Sequence, residues 1–175
     1  MKPTFKPTII ALVGNSGTGK THLSNFLKQR LGIPVIVSYT TRPRRENEKD
    51  GRDYYFIREE QIPPLQQMLT YTQYGGCEYF ARLDQVPRMG RCVYILDERG
   101  LLSLKEKYKG RFDIVSVLVR STPETLQARG IPAGRISRDT ERFGLPDSFY
   151  DAVIENNGTL ADFEECALHI INQFG

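Results

Sequence analysis

Cysteine and histidine are scarce in this chain: Cys77, Cys92 and Cys166 are odd in number and widely spaced, and His22 and His169 are the only imidazoles among 175 residues. That shortage leaves neither a disulfide framework nor a structural zinc site with any support, and a reducing cytoplasm is the expected setting. Long apolar runs are missing too. No stretch nears the ~18 consecutive apolar residues of a membrane span, and MKPTFKPTIIALVG reaches Gly14 before a signal-like segment with a cleavage site develops. A soluble protein with no membrane partner is expected. There is also no repeat and no low-complexity linker.

What is present suits one globular domain. The hydrophobic share is 39%, and the 15 glycines bring it close to ordinary globular composition. The net charge of +3 hides a gradient: residues 1–60 hold 11 basic and 6 acidic side chains, 61–120 hold 9 and 6, and 121–175 hold 4 and 9. A positive first half attracts nucleic acid or a small anionic ligand equally well, so total charge does not choose between them.

Periodicity places the elements. TIIALV at 8–13 reads as a buried strand, and Leu23, Phe26, Leu27 and Leu31 recur at helical spacing after Lys20. Short strands are expected at 35–37, 54–57, 70–74 and 78–80, and longer buried ones at 92–97 and 113–119, with a helix over 101–108. The charged stretch 42–53 reads as an exposed loop, and 58–68 has helical ingredients interrupted by Pro63 and Pro64. TPETLQA, an arginine-bearing region at 129–142, an apolar AVI at 152–154 and a closing helix near 160–173 complete the chain. This β/α alternation predicts a mostly parallel sheet covered by helices.

The strand-to-helix turn at Gly14, Asn15, Ser16, Gly17, Thr18, Gly19, Lys20 and Thr21 satisfies G-x-x-x-x-G-K-[ST] in full. Glycine permits the tight path that turns successive N–H groups toward phosphate oxygens, and the following helix presents its positive end. Lys20 then suits the β- and γ-phosphates and the Thr21 hydroxyl suits Mg²⁺, so ATP with magnesium is the expected donor. Asp97, at the end of the YILD strand, points toward the ligand crevice of an open sheet as a second metal or acceptor contact, or caps the strand end. With Glu98 it also suggests the water-activating pair of motor-like ATPases, although no motor element accompanies it.

A second anion site is suggested by SYTTRPRR, which gathers Ser38, Arg42 and Arg45 ahead of Tyr54. Guanidinium groups grip phosphate in planar, often bidentate fashion, while hydroxyls donate without adding charge. From the residues alone, an acceptor phosphate, a solvated loop face and a nucleic-acid contact all stay open.

The glycine loop together with SxTTRxxRxxExDGxDYxF, read here from Ser38 to Phe56, resembles the guanylate kinase family. GG-C-E-Y at 75–79, VYILD at 93–97, Arg129-Gly130 and the closing stretch from Asp151 to Asn157 extend the resemblance over nearly the whole chain. It implies an α/β, P-loop nucleoside monophosphate kinase fold: a three-layer sandwich with a parallel core sheet, joined by an acceptor-binding subdomain and a helical lid. The core, with its parallel sheet, takes 8–37, 83–128 and 150–175; the small, partly antiparallel acceptor-binding subdomain takes 38–82; the helical lid takes 129–145. It implies that Ser38, Arg42, Arg45, Tyr54 and Tyr79 bind the acceptor's monophosphate, and that Arg129 with Arg135 or Arg138 bridges the donor phosphates.

Two positions depart from that pattern. The family's guanine-reading glutamate falls on Thr70, whose single hydroxyl is a weaker partner for the guanine edge, and Glu78 is a possible substitute. The continuation Asp-x-Asp-x-x-Gly is read as shortened to Asp97-Glu98-Arg99-Gly100, with the second aspartate lost. The expected activity is therefore ATP-dependent phosphorylation of a nucleoside monophosphate, GMP or dGMP first, by a monomer or homodimer without a nucleic-acid partner. Another nucleoside monophosphate or a phosphorylated ribose is the alternative acceptor. A kinase-shaped interaction module and an NTPase that needs no acceptor are the rivals from other classes.

Overall fold

The apolar run at 8–13 is buried because it becomes the middle strand of a sheet. In the computed structural model, which describes residues 6–141 and 143–174, the first half of the chain forms β1 (Thr8–Val13), α1 (Lys20–Leu31), β2 (Val35–Ile36), β3 (Tyr39–Thr40), β4 (Tyr55–Phe56), β5 (Met68–Tyr74) and β6 (Cys77–Arg82). The second half forms β7 (Arg91–Ile95), α2 (Glu98–Lys107), β8 (Asp113–Arg120), α3 (Pro123–Ala128), α4 (Ala133–Thr140), β9 (Ala152–Glu155) and α5 (Leu160–Asn172). The main sheet runs β2-β7-β1-β8-β9 with every pair parallel, Ile10 lying opposite Val93 on one side and Val115 on the other.

Side-chain alternation along β1 divides the core into layers. Ile10 and Leu12 face Leu23 and Leu27 of α1 and Phe163, Ala167 and Ile171 of α5. Ala11 and Val13 face Leu101 of α2 and Tyr150, while Ile9 joins Cys92, Tyr94, Leu104 and Tyr108. Helices on both faces are what buries a parallel sheet. Burial also pushes the Cys92 thiol up to about 12, so it packs as a small apolar group. No described helix is long and apolar enough to cross a membrane.

A second sheet, ordered β4-β3-β6-β5, mixes one parallel pair with two antiparallel ones. Its hairpin turns at Gly75 and Gly76, both at positive φ (59° and 74°), the conformation a two-residue turn between Tyr74 and Cys77 requires. Leu69 and Ala81 dock this sheet onto the Ile9 side of the main sheet.

The sequence reading needs three adjustments. Pro63 and Pro64 lack amide donors, and residues 58–68 form two short 3₁₀ turns, Glu59–Gln61 and Leu65–Gln67, rather than a helix. Met68 and Leu69 extend β5. β7 stops at Ile95, and Asp97 opens α2 instead of closing the strand: its Oδ1 accepts from the Gly100 N–H at 2.7 Å.

Candidate active site

The candidate side chains converge at one edge of the main sheet. The segments following the carboxyl ends of β1, β2, β7, β8 and β9 carry, in turn, residues 14–21, Ser38, Asp97, Ser121 with Arg129, and Asn156. A parallel sheet opens its ligand crevice at that edge.

The glycine loop is shaped by close packing. Gly14 has φ +149°, and a Cβ there would lie 2.1 Å from the Val119 carbonyl oxygen of β8, so only glycine fits. The loop ends at Gly19, which precedes α1 in a left-handed conformation. Thr18 is buried, its hydroxyl donating to the Asn15 carbonyl at 2.9 Å, while its own carbonyl accepts from the Asn156 amide at 2.9 Å. Lys20 Nζ donates to the Gly14 and Asn15 carbonyls at 2.6 and 2.7 Å, which folds the ammonium into the loop. Arg129 lies beside it, reaching Asn156 O at 2.8 Å, Ser121 Oγ at 3.0 Å and Gly17 O at 3.4 Å. A cavity of about 330 Å³ opens next to these groups, lined by Gly17, Gly19, His22, Arg129, Asn156 and Phe163 among others.

The loop already holds an anion. The Ser16 N–H donates at 2.8 Å to the carboxylate of Asp139, a residue of α4 that lies 123 positions further along the chain. A carboxylate oxygen on this amide shows that the loop accepts the kind of group a phosphate presents. It also sets α4, which carries the exposed Arg135 and Arg138, over the loop. Thr21 lies exposed in the first turn of α1. Among the described residues no group of three or more His, Cys, Asp or Glu side chains is arranged for a metal. Magnesium suits such a site because it is commonly held by few protein groups plus phosphate oxygens.

The second cluster is made by side chains. Arg42 donates to Glu48 Oε1 at 2.7 Å and lies 5.5 Å from the Tyr54 ring and 5.7 Å from that of Phe56. Tyr79 meets Tyr54 edge to face, with ring centroids 6.0 Å apart. The hydrogen bond from Arg42 holds the Glu48 carboxyl below the usual carboxylate range, and the same bond raises Arg42. Burial pushes the Tyr54 phenol up, with Tyr79 adding to the shift. Arg45 is exposed, and its backbone N–H donates to Glu48 Oε2 at 2.9 Å. Ser38 lies 3.4 Å from the Tyr94 hydroxyl, which also meets Thr70 Oγ1 at 2.5 Å.

Two expectations are corrected. Glu78 neighbours Tyr79 in a strand, so the two side chains leave opposite faces. Glu78 turns to Gln73, whose amide donates to it at 2.9 Å, and to Tyr71, away from the Tyr54–Tyr79 side. It cannot stand in for a base-reading carboxylate there. Nor is the Asp97 segment shortened. Asp97 caps Gly100 from three residues before it, which is the spacing of the second aspartate in Asp-x-Asp-x-x-Gly, and Ile95 occupies the first.

Sequence reasoning passed over Glu48, Tyr94, Asp139 and Asn156. Glu48 and Asn156 stand inside the quoted patterns without an assigned task. Tyr94 too lies inside a quoted pattern, VYILD, but its partner Thr70 is 24 residues away, and Asp139, whose partner Ser16 is 123 residues away, carries no local signal.

Comparison with known proteins places the chain's family and fold. A family model described as guanylate kinase matches residues 6–164. A guanylate kinase of Bordetella pertussis is 30% identical over 176 residues, covering 94% of this chain and 76% of the relative. One from Thermotoga maritima is 33% identical over 113 residues, covering 59% of this chain; the chain spans about half the length of the first relatives it matches, 54% in this case. The crystal structure of guanylate kinase from Anaplasma phagocytophilum superposes with a TM-score of 0.64 at 23% identity, over 98% of this chain and 85% of that one. With the α/β fold, the complete glycine loop and the family match in agreement, the chain belongs to the guanylate kinase family.

Proposed function

We propose that this protein is an ATP-dependent kinase that transfers the γ-phosphoryl group to a nucleoside monophosphate, with GMP or dGMP the first candidate. One observation carries the reading: two cationic sites, one of main-chain amides with Lys20 and one of Arg42 braced by Glu48 against Tyr54, lie off the same edge of a parallel sheet. A phosphotransferase must hold two anionic reactants close together against their repulsion.

In this reading the glycine loop and Lys20 hold the donor's phosphates, and the cavity beside Arg129 and Phe163 takes its base. Ser38, Arg42, Arg45, Tyr54 and Tyr79 orient the acceptor phosphate. One of its oxygens attacks the γ-phosphorus in line, the bond to the β–γ bridging oxygen breaks, and ADP leaves. No protein base is needed, because the attacking oxygen is already anionic. Lys20, with Arg129, Arg135 and Arg138 from the lid over 129–145, neutralises charge on the transferring group. Thr21, with help from Asp97, would hold magnesium, which would supply further neutralisation of the phosphates when bound. Residues 38–82 form the acceptor subdomain, and its approach to the lid excludes water that would otherwise hydrolyse ATP. The free cysteines Cys77, Cys92 and Cys166 suit a cytoplasmic setting.

The test is ATP consumption measured against GMP, dGMP, the other nucleoside monophosphates and phosphorylated riboses. Stimulation by a nucleoside monophosphate is expected. A phosphorylated ribose as the sole productive acceptor would move the substrate class, and a flat response to all of them would overturn the kinase reading.

A further inference from the structure

Tyr94 stands apart from the residues the mechanism uses. It lies on β7, on the sheet face covered by α2 and by Leu69 and Ala81 of the second sheet, and the residue is only 4% exposed. Its ring completes that apolar cluster. Its hydroxyl lies buried at the far side of that cluster, 2.5 Å from Thr70 Oγ1 and 3.4 Å from Ser38 Oγ, where the electrostatic influence of Tyr54 and Asp97 also reaches it. Tyr94 therefore links the main sheet to β5 and to the segment between β2 and β3.

The wall around this hydroxyl has a uniform chemistry. Cross-strand pairing puts Thr72 opposite Tyr79 and Thr40 opposite Tyr79 on its other side, so these side chains share the face that Tyr54 covers. With Thr70, Ser38 and Tyr94 they are all hydroxyls. The carboxylates nearby are committed elsewhere: Glu48 to Arg42, Glu78 to Gln73 on the opposite face, and Asp97 through Oδ1 to the Gly100 N–H. A hydroxyl rotates to donate or accept, whereas a carboxylate only accepts. Such a wall senses the shape of a base but barely distinguishes the polarity of its edge.

We propose that the Tyr94–Thr70 hydroxyl pair forms the base-reading wall of the acceptor site, and that it leaves the purine 2-amino group unread. The inference rests on the nucleoside monophosphate kinase reading and deepens it: the acceptor class becomes purine nucleoside monophosphates taken by shape, 6-oxopurines with or without the 2-amino group among them. GMP and IMP share the six-position oxygen and the N1–H, and they differ at that amino group alone. A single neutral hydrogen bond gained or lost changes selectivity by only about 10-fold or less. A site with a dedicated partner for the group rejects the analogue lacking it by several powers of ten.

The experiment is steady-state kinetics of the wild-type protein with GMP and IMP, followed by Tyr94→Phe, Thr70→Glu and Asp97→Asn. For the wild type, the kcat/KM ratio of GMP to IMP is expected within about 10-fold. Tyr94→Phe keeps the ring, so it should raise KM for both acceptors about 3- to 10-fold with kcat and melting temperature held, a split that lost packing would not produce. Thr70→Glu installs an acceptor-only group and should raise the GMP to IMP ratio by about 10-fold or more. A wild-type ratio above about 100-fold overturns the proposal, and its collapse in Asp97→Asn would identify Asp97 as the reader instead. Either result leaves the kinase reading standing. Turnover of neither nucleotide, nor of any monophosphate, would remove that reading itself.

Discussion

The glycine loop and the arginine cluster both offer positive charge to an anion, but one is made of main chain and the other of side chains. In the loop, Ser16 presents a backbone amide, Lys20 is held by two carbonyls of its own loop, and Gly14 is shaped by the backbone of β8. The groups at work lie within a few residues of one another. In the cluster, Arg42 is aimed by Glu48, lies against the neighbouring Tyr54 and Phe56 rings, and is met by Tyr79 from another strand. A site of main-chain donors depends on the path of the backbone, whereas a site of side chains depends on each residue's partner.

This contrast can be broken most forcefully at Lys20, the side chain that folds into the loop. Lys20→Met should reduce kcat by about 100-fold or more while the melting temperature stays within a few degrees. Near-normal turnover by the folded variant would mean that the amides alone suffice. Arg42→Ala should act on the other partner only. Acceptor KM is expected to rise about 10- to 100-fold, the range of a charged hydrogen bond, with the KM for ATP unchanged. A parallel rise in both constants would show that the two sites are not separable.

Asp139 sharpens the comparison further, because it is a side chain inserted into the main-chain site. Its carboxylate has to leave the Ser16 amide before a phosphate oxygen can take that donor. Asp139→Asn removes the competing charge, and the Kd for ATP measured by calorimetry should fall about 3- to 10-fold. Weaker binding in this variant would assign Asp139 to the bound state instead.

The smallest effect concerns pH. Glu48 has a lowered folded-state pKa, chiefly from the Arg42 hydrogen bond, so its support is present above the ordinary glutamate value and is lost as pH falls through the depressed one. The KM for acceptor in Glu48→Gln, divided by that of the wild type, should hold constant between pH 8 and 5. It should shrink toward one only below about pH 4. Because the acceptor's own titration cancels in the ratio, a decline already at pH 6 would point to another group.

The same contrast governs what could be read before the structure. Residues 14–21 were legible as strand, turn and helix, since the chemistry is contiguous and the glycines are required by local geometry. The spacing of Ser38, Arg42, Arg45 and Tyr54 suggested an anion site because these residues lie within one short stretch, on either side of β3 and just ahead of β4. Glu78 was misplaced for a definite reason. Adjacency to Tyr79 looks like proximity in one dimension, but a pleated strand sends neighbours to opposite faces. Asp97 was read as a strand end, because the apolar run of β7 gives no sign of the cap that starts α2.

By itself the sequence determined the parallel α/β architecture, the glycine loop and the arginine-bearing loop, all of which rest on patterns within a few residues: period, glycine placement and motif spacing. Only the tertiary structure decided that Asp139 reaches Ser16, that Tyr94 closes a hydroxyl wall with Thr70 and Ser38, and that Glu78 faces away. Those contacts join segments whose distance along the chain says nothing about their distance in space. They depend on strand order and on which face of a strand turns inward, and both are settled only when the two sheets pack against each other.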